Sequence, residues 1–238
     1  MRFAIFSDIH ANLEALETAV DYAQGRDVER TVVLGDTVGY GADPNACFEW
    51  AVQNTSIFLI GNHERGVVDP LFRDWFNDWA REAIVWTAGV MDPALKKTIP
   101  DLPYLKIENG LTFAHGSPDD PEKFRYLLTF SDAGPSFSQF ENSICFVGHT
   151  HIPCCFCLGR HSAEYLKPGT LTLESKERYI LNPGSVGQPR DRDPRLSFGI
   201  YDDEKRTFEI VRLPYDNEKA AGKIRRAWLP RYLADRLL

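Results

Sequence analysis

The chain is 238 residues long, enough for one large or two small domains at roughly 100–200 residues each. With 27 Lys and Arg against 34 Asp and Glu, its formal net charge of −7 argues against a general electrostatic grip on nucleic acid or on an anionic membrane. No apolar run approaches the roughly 20 residues of a membrane span, and a strand-like run reaches Asp8 before a signal peptide of ordinary length forms. The expectation is a soluble cytoplasmic protein with no membrane partner and no stable nucleic-acid binding.

The predicted elements of the first sixty residues alternate between strands and helices. An apolar run ending at Asp8 predicts a strand, and Asn12 is placed to cap a helix whose apolar residues keep helical spacing from Leu13 to Val20. The run RTVVLGD predicts the next strand, a helix over 45–52 follows, and SIFLIGNH predicts a third strand. This alternation indicates an α/β fold with a buried sheet.

An aromatic stripe interrupts that alternation over residues 66–100. Its members recur at helical spacing and are Phe72, Trp75, Phe76, Trp79, Ala83, Trp86 and Val90. The stripe predicts a helical insert that buries one face on its own domain. A cap over a substrate cleft and a dimer face remain as alternatives, and the oligomeric state stays open.

The second half of the chain reads as further strands and a helical tail. LTFAHG and ICFVGHTH continue the strand pattern around a loop-rich stretch over 116–142, and mainly antiparallel strands are expected after residue 169. A tail over 214–238 predicts a helix from Asn217 to about Leu238. Because the strand-end motifs run from Asp8 to His151, any cut within that span would separate them, so we expect a single domain over 1–238.

Five cysteines, an odd number, include three in the segment IPCCFC. No second Cys/His pair supplies the usual four-ligand spacing of a thiolate metal site. We predict that Cys154, Cys155 and Cys157 are small buried hydrophobic residues of a strand, with Cys154 and Cys155 on opposite faces. His161 lies outside every strand-end motif and is expected at the surface.

Polar residues able to bind metal ions follow five of the apolar runs directly. The candidate ligands are Asp8, His10, Asp36, Asn62, His115, His149 and His151. Ligands of such sheets collect beyond the carboxyl ends of the strands, so these side chains are expected to converge. Carboxylate, amide oxygen and imidazole nitrogen without sulfur suit Mn, Fe, Zn, Co or Ni.

The charges of this set suit phosphate chemistry. Two divalent ions with two carboxylates leave a net charge of about +2 for a phosphoryl group, and a pair of metals lowers the pKa of a bridging water and holds phosphoryl oxygens. His63, next to Asn62, is placed to protonate the leaving oxygen, with Glu64 orienting or charging it. Hydrolysis of a phosphate ester is the expected reaction.

With these motifs the sequence resembles the calcineurin-like metallophosphoesterases, in particular their small prokaryotic phosphodiesterase-like group. The matching blocks, in family order, are Asp8-Ile9-His10, Gly35-Asp36, Gly61-Asn62-His63-Glu64, His115-Gly116 and Gly148-His149-Thr150-His151. The resemblance implies a four-layer αββα sandwich. It also implies one metal held by Asp8, His10, Asp36 and His151, a second held by Asp36, Asn62, His115 and His149, and His63 as the general acid.

The resemblance disfavours two subfamilies. Protein serine/threonine phosphatases carry an arginine just after the bridging carboxylate, and Thr37 stands there in this chain. Purple acid phosphatases place a tyrosine ligand where this chain has Gly39, and Tyr40 comes one residue too late. Glu64 replaces the aspartate commonest at its position. The segment NPGSVGQPRD over 182–191 and the C-terminal tail extend the likeness over nearly the whole chain.

The function that the resemblance implies is a dinuclear-metal-dependent phosphoesterase in which His63 and Asp36 are catalytic. Manganese is the first expectation for the metal, and a small phosphorylated substrate, a phosphodiester or nucleotide, is favoured. Asn62 and Arg190 are the candidate substrate contacts; for Arg190, an exposed charged loop is the alternative. Phosphomonoesterase or dinucleoside polyphosphate hydrolase activity, a non-catalytic scaffold of this fold and a nucleotide sensor remain as alternatives.

Overall fold

The computed structural model describes residues 1–238 as twelve strands, eight α-helices and four short 3₁₀ helices. In chain order the strands are β1 Arg2–Phe6, β2 Arg30–Val33, β3 Ile57–Phe58, β4 Leu105–Glu108, β5 Leu111–Ala114, β6 Ile144–Phe146, β7 Pro153–Cys157, β8 Ser162–Tyr165, β9 Gly169–Thr172, β10 Tyr179–Pro183, β11 Leu196–Asp202 and β12 Thr207–Leu213. The α-helices are α1 Leu13–Gln24, α2 Pro44–Asn54, α3 Asn62–Val68, α4 Asp78–Val90, α5 Pro93–Lys96, α6 Phe130–Ala133, α7 Asn217–Arg226 and α8 Arg231–Asp235. The 3₁₀ helices are Phe72–Trp75, Ile99–Asp101, Pro121–Lys123 and Pro135–Ser138.

The strands form two six-stranded sheets. Sheet I has the order β3-β2-β1-β11-β12-β9, and sheet II has the order β4-β5-β6-β10-β7-β8. In sheet I, β1, β2 and β3 are mutually parallel, while β11 pairs antiparallel with β1. In sheet II, β5, β6 and β10 are parallel. The carboxyl ends of the parallel strands therefore share one edge in each sheet, which is where polar ligands can gather.

The two sheets pack face to face, and helices cover their outer faces. Phe3 and Ile5 of β1 lie in the core between the sheets together with Phe146 of sheet II. The alternate residues Ala4 and Phe6 pack against α1 and α2 on the outer side. A third core lies under α6 on the outer face of sheet II. These four layers confirm the predicted αββα sandwich.

Helix α1 begins where the sequence predicts, because the Asn12 side chain accepts a hydrogen bond from the Ala15 amide at 3.2 Å. The cysteine prediction is also confirmed. All five cysteines are free and buried. Cys154 packs in the outer core of sheet II, whereas Cys155 and Cys157 pack between the sheets.

The C-terminal tail is two helices, so the prediction of one continuous helix to Leu238 is wrong. Helix α7 ends at Arg226, and Pro230 precedes α8. Proline lacks an amide hydrogen and disfavours the helical conformation of the residue before it, so the helix cannot run through this position. No helix of the structure combines the length and the apolar character needed to cross a membrane.

The sequence predicts that the aromatic stripe of 66–100 is the buried face of one helix, and this prediction is wrong. The chain turns to an extended conformation at Phe76, between the 3₁₀ helix Phe72–Trp75 and α4. The buried residues of α4 are Ala80, Ala83, Ile84 and Thr87. Trp75 and Trp79 are instead 85% and 49% exposed. Ala83 belongs to a core cluster with residues of α7 and α8, and Ile84 belongs to the core on the outer face of sheet I.

Candidate active site

Left-handed backbone turns follow the strands that carry the candidate ligands. Five of the seven have positive φ, namely Asp8 (54°), His10 (49°), Asp36 (54°), His149 (66°) and His151 (61°). This conformation is uncommon for residues other than glycine, and such backbone strain concentrates at functional sites. These turns end the regular strand conformation and bring the side chains of Asp8 and His10 into one cluster.

The first ligand cluster joins Asp8, His10 and His151, whose ligand atoms all lie within 4.8 Å of one another. The Nε2 atoms of His10 and His151 are 3.1 Å apart. His151 Nε2 also lies 3.2 Å from Asp8 Oδ1. Asp8 and His10 follow β1 of sheet I, and His151 follows β6 of sheet II, so this cluster spans the two sheets.

The second cluster joins Asp36, His115 and His149, again within 4.8 Å. His115 Nε2 lies 3.1 Å from His149 Nδ1 and 3.2 Å from the side-chain oxygen of Asn62. Asp36 belongs to both neighbourhoods, because its Oδ2 atom is 3.2 Å from His115 Nε2 and 3.8 Å from His10 Nε2. The structure thus brings all seven predicted ligands together and sets Asp36 between the two groups.

The donor atoms of these clusters suit cations. The Nδ1 atoms of three ligand histidines lie 2.6–3.1 Å from backbone carbonyl oxygens: His10 from Val38, His115 from Leu34 and His151 from Gln188. A carbonyl oxygen only accepts, so Nδ1 carries the hydrogen, and a neutral ring then presents a lone pair on Nε2.

Those lone pairs face other acceptors across short distances. The Nε2 atoms of His10 and His151 approach each other, and the buried Asp8 Oδ1 has no hydrogen-bond partner. A buried acceptor without a donor is costly, and a divalent cation between these atoms would satisfy all of them. The residues present therefore fit metal ions in both clusters.

Asp36 and His115 are electrostatically coupled. Burial opposes the ionisation of Asp36, but His115, His63 and His10 together outweigh it and hold the pKa of this carboxyl well below its usual range. Burial alone would lower the pKa of His115, yet the Asp36 carboxylate raises it to about 9. The pair shows that this end of the site strongly favours positive charge beside Asp36.

His63 lies against the first cluster without a hydrogen bond to its Nδ1 atom, which is buried. Its ring packs between Tyr40 and Phe76, with centroid distances of 4.4 and 5.0 Å. A Cβ atom at residue 39 would overlap His63 Nδ1, so Gly39 leaves the room that this ring occupies. Burial lowers the pKa of His63 to about 4, with Asp36 opposing the shift. The ring is neutral near pH 7 in the free protein.

Glu64 does not orient His63, and that sequence prediction is wrong. Its carboxylate accepts hydrogen bonds from four backbone amides, those of Asp36, Thr37, Val38 and Gly61, at 2.6–3.2 Å. Burial raises the pKa of Glu64 to about 7. Glu64 is the third residue of α3. From there its side chain reaches back to the turn after β2 rather than toward the ring of His63.

A cavity of about 780 Å³ opens onto the two clusters. Arg190 lines it, so the alternative of an exposed loop position does not hold for this residue. Its Nη2 atom lies 3.4 Å from both the Tyr40 hydroxyl and Gln188 Oε1, and its Nε is buried without a partner. Arg190 makes no ion pair, although Arg65, Lys123 and Arg125, which also line the cavity, each pair with a carboxylate.

Other residues of the cavity carried no signal in the sequence. Tyr126 stacks on the His149 ring with centroids 3.9 Å apart, and Tyr40 contacts His10 and His63. Neither tyrosine belongs to an apolar pattern with helix or strand spacing, so the sequence did not indicate a place in the site. Burial raises the pKa of Tyr40 to about 12, so this hydroxyl stays protonated. His161, by contrast, is exposed, as predicted, and lies outside the site.

Two residues of the 182–191 segment hold backbone rather than substrate. The Asn182 amide donates to the Gly148 carbonyl at 2.6 Å and to the Thr150 hydroxyl at 3.0 Å. The Ser185 hydroxyl donates to the Asp8 carbonyl at 2.8 Å. These bonds fix the turns that carry Asp8 and His149.

Comparisons with known proteins agree with this geometry. A family model described as the calcineurin-like phosphoesterase superfamily domain matches residues 1–206. An uncharacterised protein of Methanocaldococcus jannaschii is 38% identical over 238 residues, which cover 98% of this chain and 96% of that protein. The crystal structure of a metallophosphoesterase from Sphaerobacter thermophilus superposes with a TM-score of 0.91 at 36% identity, covering 100% of this chain and 98% of the other. A hypothetical protein of Pyrococcus horikoshii shares the fold, with a TM-score of 0.80 at 17% identity over 99% and 97% of the two chains.

Proposed function

This chain belongs to the calcineurin-like phosphoesterase superfamily, and we propose that it hydrolyses phosphate esters at a centre of two divalent metal ions. The observation that carries the proposal is the pair of His/Asp clusters that meet at Asp36. Their imidazole lone pairs and carboxylate oxygens face one another at distances that cations would bridge. A purely structural role for so many buried acceptors would leave them unsatisfied.

The residues assigned to the metals follow the two clusters. Asp8, His10 and His151 would hold one ion, Asn62, His115 and His149 the other, and Asp36 both. When bound, the ions would supply an activated water and Lewis-acid stabilisation of the phosphoryl oxygens. Manganese is the first candidate. Fe, Zn, Ni and Co also suit this set of nitrogen and oxygen ligands.

His63 is the proposed general acid. A proton donor for the leaving oxygen needs a ring at the cavity wall that no hydrogen bond commits, and His63 lines the cavity in this way. Its Nδ1 atom is buried beside Gly39, so Nε2 would be the atom that serves the leaving oxygen. An anionic phosphoryl group beside the ring would raise its pKa from about 4, because opposite charge favours the protonated form. Substrate binding would thereby prepare the ring to donate.

Arg190 and Asn62 are the proposed phosphate contacts of the protein. Arg190 is the only arginine or lysine of the cavity without a carboxylate partner, so it supplies a single uncompensated positive charge. A single arginine beside the metal centre is not the clamp of several cations that would favour a terminal phosphate, and the metal ions would supply the rest of the positive charge. This supports a phosphodiester or nucleotide-type substrate.

A substrate panel on the manganese-loaded protein tests the proposal. The panel includes bis-aryl and mono-aryl phosphates, 2′,3′-cyclic nucleotides and a dinucleoside polyphosphate. We expect turnover of the diesters, loss of at least 100-fold in Asp36→Asn, and unchanged activity in Asp21→Asn, which alters an exposed carboxylate of α1. No turnover on any ester, together with unchanged metal content in Asp36→Asn, would refute it. Tight metal-dependent binding of an uncleaved nucleotide would indicate a sensor instead.

A further inference from the structure

The outer half of the cavity is an aromatic slot between two segments. One wall comes from the segment after α3, with Phe72 and Trp75, and the other from the loop around the 3₁₀ helix Pro121–Lys123, with Phe124 and Tyr126. Phe72 and Phe124 meet edge to face at 5.9 Å. The volume of about 780 Å³ falls within the roughly 300–1,000 Å³ of small-molecule sites. The cavity therefore extends well beyond the metal clusters.

The aromatic walls leave two ring systems open to a ligand. Trp75 lines the cavity and is 85% exposed. Tyr126 has one ring face covered by His149, a candidate metal ligand, yet the side chain stays 47% exposed. A planar group stacked on either ring would remove part of that ring from water, inside the cavity that opens onto the metal clusters.

The charges of this outer half are already neutralised. Lys123 pairs with Asp120 at 2.7 Å, Arg65 lies 3.7 Å from Asp69 and 4.0 Å from Glu122, and Arg125 pairs with Asp119. A chain of several phosphates would need free cations along its length. The slot offers aromatic surface instead, and the one unpaired cation, Arg190, belongs to the inner end.

The geometry points to a nucleobase subsite in the outer cavity, so that the substrate is a nucleoside phosphate with a single phosphoryl group at the metal centre. Nucleotides are phosphate esters that combine a planar aromatic base with such a group. Stacking of a base on an aromatic side chain strengthens binding by roughly 5- to 100-fold. The assignment rests on the proposed phosphoesterase function for the inner, anionic end.

Binding measurements test the subsite without relying on turnover. The probes are phosphonate analogues of AMP and of ribose 5-phosphate, in which CH₂ replaces the ester oxygen, titrated calorimetrically into the manganese-loaded protein. We expect the AMP analogue to bind at least 5-fold more tightly. Trp75→Ala should remove most of that difference without changing the affinity for the ribose analogue, and Trp75→Phe should restore part of it.

Trp228→Ala is the matched control, because Trp228 is 91% exposed and does not line the cavity. It should alter neither affinity. Equal binding of the two analogues to the wild type, or an equal loss of both in Trp75→Ala, would overturn the subsite. The ADP analogue, at the same free Mn²⁺ concentration, should bind within about threefold of the AMP analogue; a gain above tenfold would contradict the single-phosphoryl assignment.

The outcomes separate this inference from the proposed function. Base-dependent binding by a protein that hydrolyses no phosphate ester, and whose metal content Asp36→Asn leaves unchanged, would refute the phosphoesterase proposal and leave the subsite standing. Hydrolysis of esters by a protein that gains nothing from the base would refute the subsite alone.

Discussion

His63 is held by packing, whereas three neighbouring histidines are held by hydrogen bonds. His10, His115 and His151 each direct Nδ1 to a backbone carbonyl, so Nε2 presents a lone pair whenever the ring is neutral. His63 Nδ1 has no partner, and the ring is fixed by contacts with Tyr40 and Phe76. A ring whose nitrogens make no hydrogen bonds can gain and lose a proton. A ring whose Nδ1 hydrogen is fixed by a carbonyl presents Nε2 to a metal.

Replacing His63 with alanine should separate substrates by their leaving groups. Loss of a general acid costs typically 10²–10⁴-fold when the leaving oxygen needs a proton, and far less when it is an activated aryloxide. We expect His63→Ala to depress kcat on an alkyl phosphodiester by about 100-fold or more and on bis-p-nitrophenyl phosphate by under about 10-fold. His161→Ala, at an exposed histidine, is the control. Equal losses on both substrates would contradict the acid role.

Glu64 is a positioning residue for the turn that carries Asp36. Its carboxylate receives four backbone amides, and glutamine at this position offers only one acceptor oxygen. Glu64→Gln should weaken Mn²⁺ binding by about 10–100-fold, as loss of a partner that supports metal ligands does. Calorimetric titration of Mn²⁺ measures this. Glu64→Asp, which keeps a carboxylate, should retain more affinity than Glu64→Gln; the reverse order would argue against the role.

At the scale of elements, ion pairs connect the C-terminal helix α7 to α1 and to the residue before α2. Lys223 of α7 lies 2.6 Å from Glu14 of α1 and 2.7 Å from Asp43, the residue before α2. Lys219 approaches Glu14 at 3.1 Å. Helix α8 then packs on α4, where Tyr232 stacks on Trp79 with centroids 4.3 Å apart. The tail thereby supports the segment 38–43 that carries Tyr40.

Folding stability should depend on Glu14 in a pH-dependent way. Burial opposes ionisation, but Lys223 and Lys219 outweigh it and lower the pKa of Glu14 from 4.5. Because the folded pKa lies below the unfolded one, the carboxylate stabilises fully above about pH 4.5 and this stability is lost as the pH falls through the folded value.

Glu14→Gln should therefore cost about 1–2 kcal/mol of unfolding free energy at neutral pH, since both lysines remain partly solvated. The cost should be smaller at pH 3 than at pH 7, because the carboxylate becomes protonated as the pH falls through its folded pKa. Urea unfolding at the two pH values measures it. Glu17→Gln, at an exposed position of the same helix, should change little at either pH. A cost independent of pH would point to packing rather than charge.

At the scale of the whole molecule, the site lies where two sheets meet. Asp8, His10 and Asp36 follow strands of sheet I, and His115, His149 and His151 follow strands of sheet II. Each ligand cluster includes residues from both sheets. Ions bound there would connect the two halves of the sandwich, since neither sheet alone provides a complete set of ligands.

Metal removal should accordingly lower the melting temperature. A ligand at 100 times its Kd stabilises the native state by about 2.7 kcal/mol, which corresponds to about 5–10 °C for a protein of this size. We expect that shift between Mn²⁺-loaded and chelator-treated wild type by differential scanning calorimetry. Asp36→Asn should lose most of it, whereas Asp21→Asn should keep it. An unchanged wild-type melting temperature would exclude a metal that holds the sheets together.

The sequence alone predicted ten of the twelve strands, all but β4 and β8, together with the first helix and the place of the candidate ligands after strands. These depend on local signals: apolar runs of strand length, a capping Asn12, and polar residues directly after parallel strands, whose carboxyl ends share an edge. The resemblance to a family supplied the assignment of the seven ligands to two metals. Burial of the cysteine strand followed from the same local pattern.

Only the tertiary structure decided what depends on contacts between distant segments. The aromatic stripe had helical spacing, but spacing cannot tell which neighbour will cover a face, and α7 and α8 cover the face of α4 that carries Ala83. Glu64 binds four amides because α3 begins beside the turn after β2. Arg190 lines the cavity because of the path that its charged loop takes in the folded chain. Local patterns determine which residues are buried or polar, and the packing of remote segments determines which of them meet.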